Sequence, residues 1–144
     1  MLVQHILSGK GSAVETIGTD ATVLEATEIL SNRKIGALIV SDDAGASIRG
    51  ILSERDIVRE IGQRGAAALS DNVVDIMTAK VQSCSPSDKA VEVLTRMTQG
   101  RFRHMPVTDG ERVIGVISIG DVVKARLGEV ESENTALADM IRGY

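Results

Sequence analysis

Apolar positions along the second half of the chain alternate between two periods. In "SDKAVEVLTRMTQG", Ala90, Val93, Leu94 and Met97 fall at i, i+3, i+4 and i+7. That spacing predicts one apolar helical face, with Ser87 as its cap and Gly100 as its stop. Before it, "VQSCSP" from Val81 predicts a short extended piece broken by Pro86. After it, "RHMPV" (103–107) and "RVIGVIS" (112–118) predict two strands joined by a tight turn through "TDGE". Pro106 marks an edge or irregular position in the first of these strands. "IGDVVKARLG" then predicts a second helix, with Gly128 as its stop. The order is strand, helix, strand, strand, helix.

The first half carries the same pattern. "TDATVLEATEIL" lies on "PSDKAVEVLTRM", so that Val23, Ala26, Thr27 and Leu30 repeat the helical face. "GALIV" (36–40) matches "RHMPV", and "RDIVREIG" matches "GDVVKARLG". The lead-ins agree as well, "QHILS" with "VDIMT". Most telling is a heptapeptide written twice, "GILSERD" from Gly50 and "GVISIGD" from Gly115. A tandem repeat is therefore expected, with repeat 1 at 1–62, a small polar connector at 63–72 read as flexible, repeat 2 at 73–128, and a weakly amphipathic helical tail at 129–144. Each unit is too small to bury much core alone, so the two copies are expected to pack on each other, sheet to sheet. The fold class is α/β (α+β), with each repeat β-α-β-β-α.

Composition narrows the function. Aromatic residues make up 1% of the 144 residues, Phe102 and Tyr144, so the core must be aliphatic and the stacking platforms used by single-strand binders are missing. The net charge is −4, which disfavours nucleic acid as a main partner. Local basic clusters, Arg55 with Arg59 and Arg101 with Arg103 and His104, point instead to a small anion or to salt-bridged surface, with Arg59 and Arg101 read as structural. One cysteine, Cys84, and two histidines leave no intrachain disulfide and argue against a zinc site. No apolar run reaches the ~18 residues of a membrane span, and "MLVQHILSGKG" does not read as a signal peptide. The cytoplasm is the expected compartment, with no membrane partner. "SGKGS" (8–12) lacks the spacing of a phosphate-binding loop.

The repeated heptapeptide has two readings. Ser followed three residues later by Asp at a helix start is a capping box. The same geometry suits a nucleotide: a helix N-terminus and a Ser hydroxyl face phosphate, and an ionised carboxylate accepts both hydroxyls of a ribose. Gly50 and Gly115 permit close approach of backbone or ligand. No Ser–His–Asp order, paired metal histidines or cofactor lysine motif suggests an enzyme.

The chain resembles a tandem pair of CBS domains, a Bateman module, on "GILSERD", "GVISIGD", "RHMPVTD" and the "VVDIMT" lead-in, across roughly residues 3–127. It looks like a stand-alone CBS pair. The resemblance implies pseudo-twofold symmetry, two clefts between the repeats, adenosine ligands (AMP, ADP, ATP, NAD(H) or S-adenosylmethionine), a homodimer and regulation of a partner protein. It implies that Asp56 and Asp121 bind ribose and that Ser53 and Ser118 face phosphate. Arg103 and His104 are assigned to the Asp121 cleft, with Ile117, Gly120, Ile35, Gly36 and Ser12. Arg55, Thr78, Lys80 and Phe102 are assigned to the Asp56 cleft. On this assignment the Asp121 cleft is the one expected to prefer phosphorylated ligands. The alternative is an interaction module with degenerate clefts.

Overall fold

A computed structural model describes residues 1–11 and 13–142; Ser12 and Tyr144, named above, lie outside the described residues. The first repeat runs β1 (Thr16–Ile17), α2 (Val23–Arg33), β2 (Ala37–Val40), β3 (Gly50–Ser53) and α3 (Glu54–Arg64), preceded by α1 (Val3–Lys10). The second runs α4 (Val73–Ile76), α5 (Ala90–Gly100), β4 (His104–Asp109), β5 (Arg112–Ser118) and α6 (Ile119–Arg142). The fold is α+β with two small sheets. In one, β2 pairs with β1 in parallel and with β3 antiparallel; in the other, β4 and β5 are antiparallel. The "VQSCSP" piece contributes a single parallel bridge, Cys84 to Val107, in place of a full strand.

The helix α2 begins as its sequence dictates. Thr22 Oγ1 accepts from the Glu25 amide, and the Glu25 carboxylate accepts from the Thr22 amide, closing a capping box. Ser87 does not play the matching part for α5, which starts at Ala90 with no side-chain cap. Its hydroxyl is bonded to Ser85, while the Asp88 carboxylate accepts from the Ser85 amide and tightens the turn ahead of the helix. Gly100 is the last residue of α5, and Arg101 takes the left-handed conformation at φ 56°. A Cβ on Gly100 would stand 2.3 Å from the Phe102 ring, so any side chain there would displace that ring.

Two readings are corrected. The connector is ordered: residues 65–70 form a 3₁₀ helix whose Ala68 is fully buried, and Arg64 ion-pairs with Asp71 across it. Of its small residues, Ala68 is the one that packs inward, while Gly65, Ala66 and Ala67 are exposed. Gly128 does not stop α6, which continues to Arg142. One interior glycine costs about 1 kcal/mol against alanine, and the following Glu, Ala and Leu residues favour the helix.

The core lies in two clusters, and their membership crosses the repeat boundary. Val3, Ile6 and Leu7 of α1 pack with Val93, Met97, Met105 and Ile117 of the second repeat. Val73 and Ile76 of α4 pack with Val23, Leu30, Leu38 and Leu52 of the first. Each lead-in helix thus completes the other repeat. Backbone bonds fix the exchange: the Val3 amide donates to Asp88 O at 2.9 Å, and the Val73 amide donates to Ala21 O at 2.8 Å. Cys84 is buried in the α1-containing cluster, and desolvation pushes its thiol up to about 11, which keeps it protonated at neutral pH.

Truncating Val73 to Ala removes methyls from the first repeat's core although the residue belongs to the second. We expect a loss of about 2 kcal/mol in denaturant unfolding. Native-state hydrogen exchange should show accelerated opening at Leu38 and Leu52. An effect confined to residues after 73 would contradict the exchanged core.

Candidate clefts between the repeats

Each heptapeptide spans a strand end and a helix start, and its residues divide the work. The glycines admit the exchanged lead-ins. A Cβ at Gly50 would lie 2.6 Å from Met77 Sδ and 2.8 Å from the Thr78 carbonyl oxygen, and a Cβ at Gly115 would lie 2.6 Å from Leu7 Cδ2. Ile51 and Thr78 exchange both backbone hydrogen bonds at 2.9 Å, so the segment after α4 is sealed to β3 beside Gly50.

The Ser and Asp residues form the capping boxes. Ser53 Oγ accepts from the Asp56 amide at 3.2 Å, and Asp56 Oδ2 accepts from the Ser53 amide at 2.9 Å. Ser118 Oγ accepts from the Asp121 amide at 3.1 Å, and Asp121 Oδ2 accepts from the Ser118 amide at 2.8 Å. The two carboxylates differ in their counter-ions. Asp56, 6% exposed, receives Arg59 Nη2 at 2.9 Å from its own helix. Asp121 receives Lys10 Nζ at 2.6 Å from the lead-in helix α1, and the same ammonium donates to the Val116 carbonyl at 2.8 Å. Burial works against ionisation of Asp121, but the Lys10 ammonium and the Ser118 amide outweigh it and hold its carboxyl below the usual range.

Beside Asp56 opens a cleft of about 860 Å³ walled by both repeats. Ser53, Arg55 and Asp56 line it from the first repeat, and Thr78, Lys80, Phe102, Arg103 and His104 from the second. Arg103 and His104, expected with Asp121 from the strand alignment, also line the Asp56 cleft, and the His104 ring lies near the charges of both Lys10 and Asp121. Position in a repeat does not decide which cleft a residue faces, because the start of β4 in one repeat crosses opposite the motif helix of the other. Arg55, Arg59, Lys80, Arg101 and Arg103 set five cations against the carboxylates of Glu54 and Asp56, on a chain whose net charge is negative. Ile51, Val58, Val81 and Phe102 supply apolar wall.

His104 lines the Asp56 cleft and lies near Asp121. A Cβ on Gly36 would meet its ring at 2.9 Å, so the glycine makes room for the imidazole. Burial first, then the Lys10 charge, lowers its pKa and leaves the ring neutral at pH 7. Ile117 is another correction: the residue is 0% exposed and belongs to the core, so it faces no cleft. Ile35 packs partly buried against the first core, and Gly120 is exposed at the start of α6. Lys10 was missed. Its signal was available in the repeat: the lead-in alignment that pairs "QHILS" with "VDIMT" also pairs Lys10 with Lys80, which had been assigned to a cleft.

Gly50→Ala pushes a methyl into backbone and should cost about 3 kcal/mol in thermal or chemical unfolding. Gly115→Ala meets only the far end of the Leu7 side chain and should cost about 1 kcal/mol. Equal losses would mean that the lead-ins dock otherwise than described.

The CBS domain family profile matches residues 12–63 and 73–128. The chain is 33% identical over 148 residues to the mitochondrial CBS domain-containing protein CBSX3 of Arabidopsis thaliana, covering 98% of this chain and 72% of that protein. Among solved structures it is similar to the CBS-domain protein ATU1752 of Agrobacterium tumefaciens, with TM-score 0.83, 43% identity, and 88% and 99% of the two chains covered. It is also similar to the CBS domain pair of MJ0100 in complex with 5′-methylthioadenosine and S-adenosylmethionine, with TM-score 0.79, 25% identity, and 90% and 98% covered. Two matched copies, each closed by the other's lead-in, place this chain in the CBS-domain family as a CBS pair.

Proposed function

We propose that this CBS pair is a regulatory module that takes a phosphorylated adenosine ligand, AMP, ADP, ATP or NAD(H), in the cleft over Asp56. The observation that carries the reading is that cleft: about 860 Å³, shared by both repeats, cationic on an acidic protein, with a buried carboxylate at one end. Asp56 suits a ribose diol, since an ionised carboxylate only accepts hydrogen bonds. Arg55, Arg101, Arg103 and Lys80 suit phosphate, and the apolar side chains around Phe102 suit adenine. The MJ0100 complex supports an adenosine-bearing ligand for this architecture.

A ligand touching both repeats favours one relative orientation of them, and a partner protein reads that orientation. Association of two copies and a cytoplasmic setting belong to the same proposal. No helix among the described residues is long and apolar enough to cross a membrane. The role is regulatory rather than catalytic, so nucleotide should be recovered unchanged after incubation.

Calorimetric titration with AMP, ATP, NAD and S-adenosylmethionine tests it. Arg103→Ala should weaken ATP about tenfold and leave adenosine unchanged, because the exposed guanidinium supplies a charge-assisted contact. Asp56→Asn should weaken all ribose-containing ligands more than Asp121→Asn does. No binding by any of the ligands would overturn the reading.

A further inference from the structure

The last helix carries an apolar stripe that the described residues leave largely uncovered. α6 is 24 residues long, about 36 Å. Its first turns pack on the α1-containing core through Ile119, Val122 and Ala125. Of residues 131–142, only Ala138 is even half-buried. Helical stability in proteins comes mostly from packing an amphipathic face, so this half of α6 calls for a partner. Val123, Leu127, Val130, Asn134, Leu137 and Ile141 follow one another in steps of 4, 3, 4, 3 and 4. That is the spacing of a coiled-coil seam, with Leu127, Asn134 and Ile141 at a and Val123, Val130 and Leu137 at d. Leu127, Leu137 and Ile141 are 58%, 57% and 78% exposed.

We propose that α6 pairs with the α6 of a second copy of this chain, as a short parallel, in-register coiled coil along this stripe. This rests on the two-copy association proposed above and gives it a surface and an orientation. Two observations commit the stripe to a copy of itself. The first is Asn134. A polar residue at a is best satisfied against its own copy, where the two amides bond each other, and it fixes register and a two-stranded assembly. An antiparallel alignment of the stripe would set Asn134 against Val130 and leave the amide without that partner. The second is charge. In the parallel pair Arg126, at g, meets Glu131, at e, of the other copy, twice by symmetry. The antiparallel alignment instead sets Glu131 against Glu131 and Glu133 against Glu133, like charges at close range. The Arg126 side chain is 49% exposed and gives Nη1 to Glu129 of its own helix at 2.9 Å, and its guanidinium has further donors for the other copy. Gly128 lies at b, off the seam, so its missing side chain takes nothing from the contact.

Sedimentation of the full chain without nucleotide tests the surface. The wild-type protein should run at twice the chain mass at high protein concentration. Leu137→Asp should run at the chain mass and keep its helical and strand content, because the residue is exposed. Charge reversal tests the orientation. Arg126→Glu alone should weaken self-association about tenfold, and adding Glu131→Arg should restore it to within about twofold. Asn134→Cys should give a disulfide-linked dimer on mild oxidation, while the buried Cys84 stays free. A monomeric wild-type chain would overturn the coil and the two-copy association together. A dimer that survives Leu137→Asp keeps the association and overturns the coil. A double reversal as weak as Arg126→Glu, or no crosslink at position 134, would overturn the parallel register.

Discussion

The structure depends on the reciprocal exchange of two short lead-in helices. A β-α-β-β-α unit of about 60 residues leaves an apolar surface that it cannot cover. Here α1 covers that surface on the second repeat, and α4 covers it on the first. The exchange is pinned by matching backbone bonds on both sides, Val3 to Asp88 and Val73 to Ala21. Neither repeat has a complete core without a segment of the other, so the two fold and open as coupled units. The Asp56 cleft follows from this arrangement, because the segment after α4 runs on along β3, bonded at Ile51 and Thr78, toward the start of α3.

That constraint also assigns the residues of the repeated heptapeptide. Its glycine is a docking point for the other repeat's lead-in, its serine and aspartate form a helix cap, and its carboxylate is left to face a cation or a ligand. Capping and ligand binding share one geometry. A helix start that is already closed by its own Ser–Asp pair still presents its positive end to an incoming anion. The duplicated motif is therefore a structural unit first, and its proposed recognition role rests on that. This explains how the two copies keep the same Ser and Asp while their surroundings diverge.

The divergence is electrostatic. At Asp56 the counter-ion is local, and the wall gathers cations from both repeats into one open cleft. At Asp121 the counter-ion arrives from the lead-in and ties the two repeats together through one ion pair. The two copies of the motif therefore keep the same Ser and Asp in different electrostatic surroundings.

Much of this was legible in the chain. The periods of 3.6 and 2 located α2, α5 and the β4–β5 hairpin, because those elements have one face buried and one solvated. The double "G-x-x-S-x-x-D" marked both helix starts, because capping is local and needs only residues three apart. The ends of elements were less legible: Gly128 and Ser87 carry stop and start signals, but the surrounding helix propensity and the 85–88 turn overrode them. Which residues meet beside Asp56 was visible only in the tertiary structure. Alignment of repeats says which residues are equivalent, but not which equivalent faces which, and the crossing of the repeats puts Arg103 and His104 on the wall beside Asp56. Lys10 reached Asp121 for the same reason. Contacts between residues a hundred positions apart depend on how the two halves pack, and no local period along the chain encodes that.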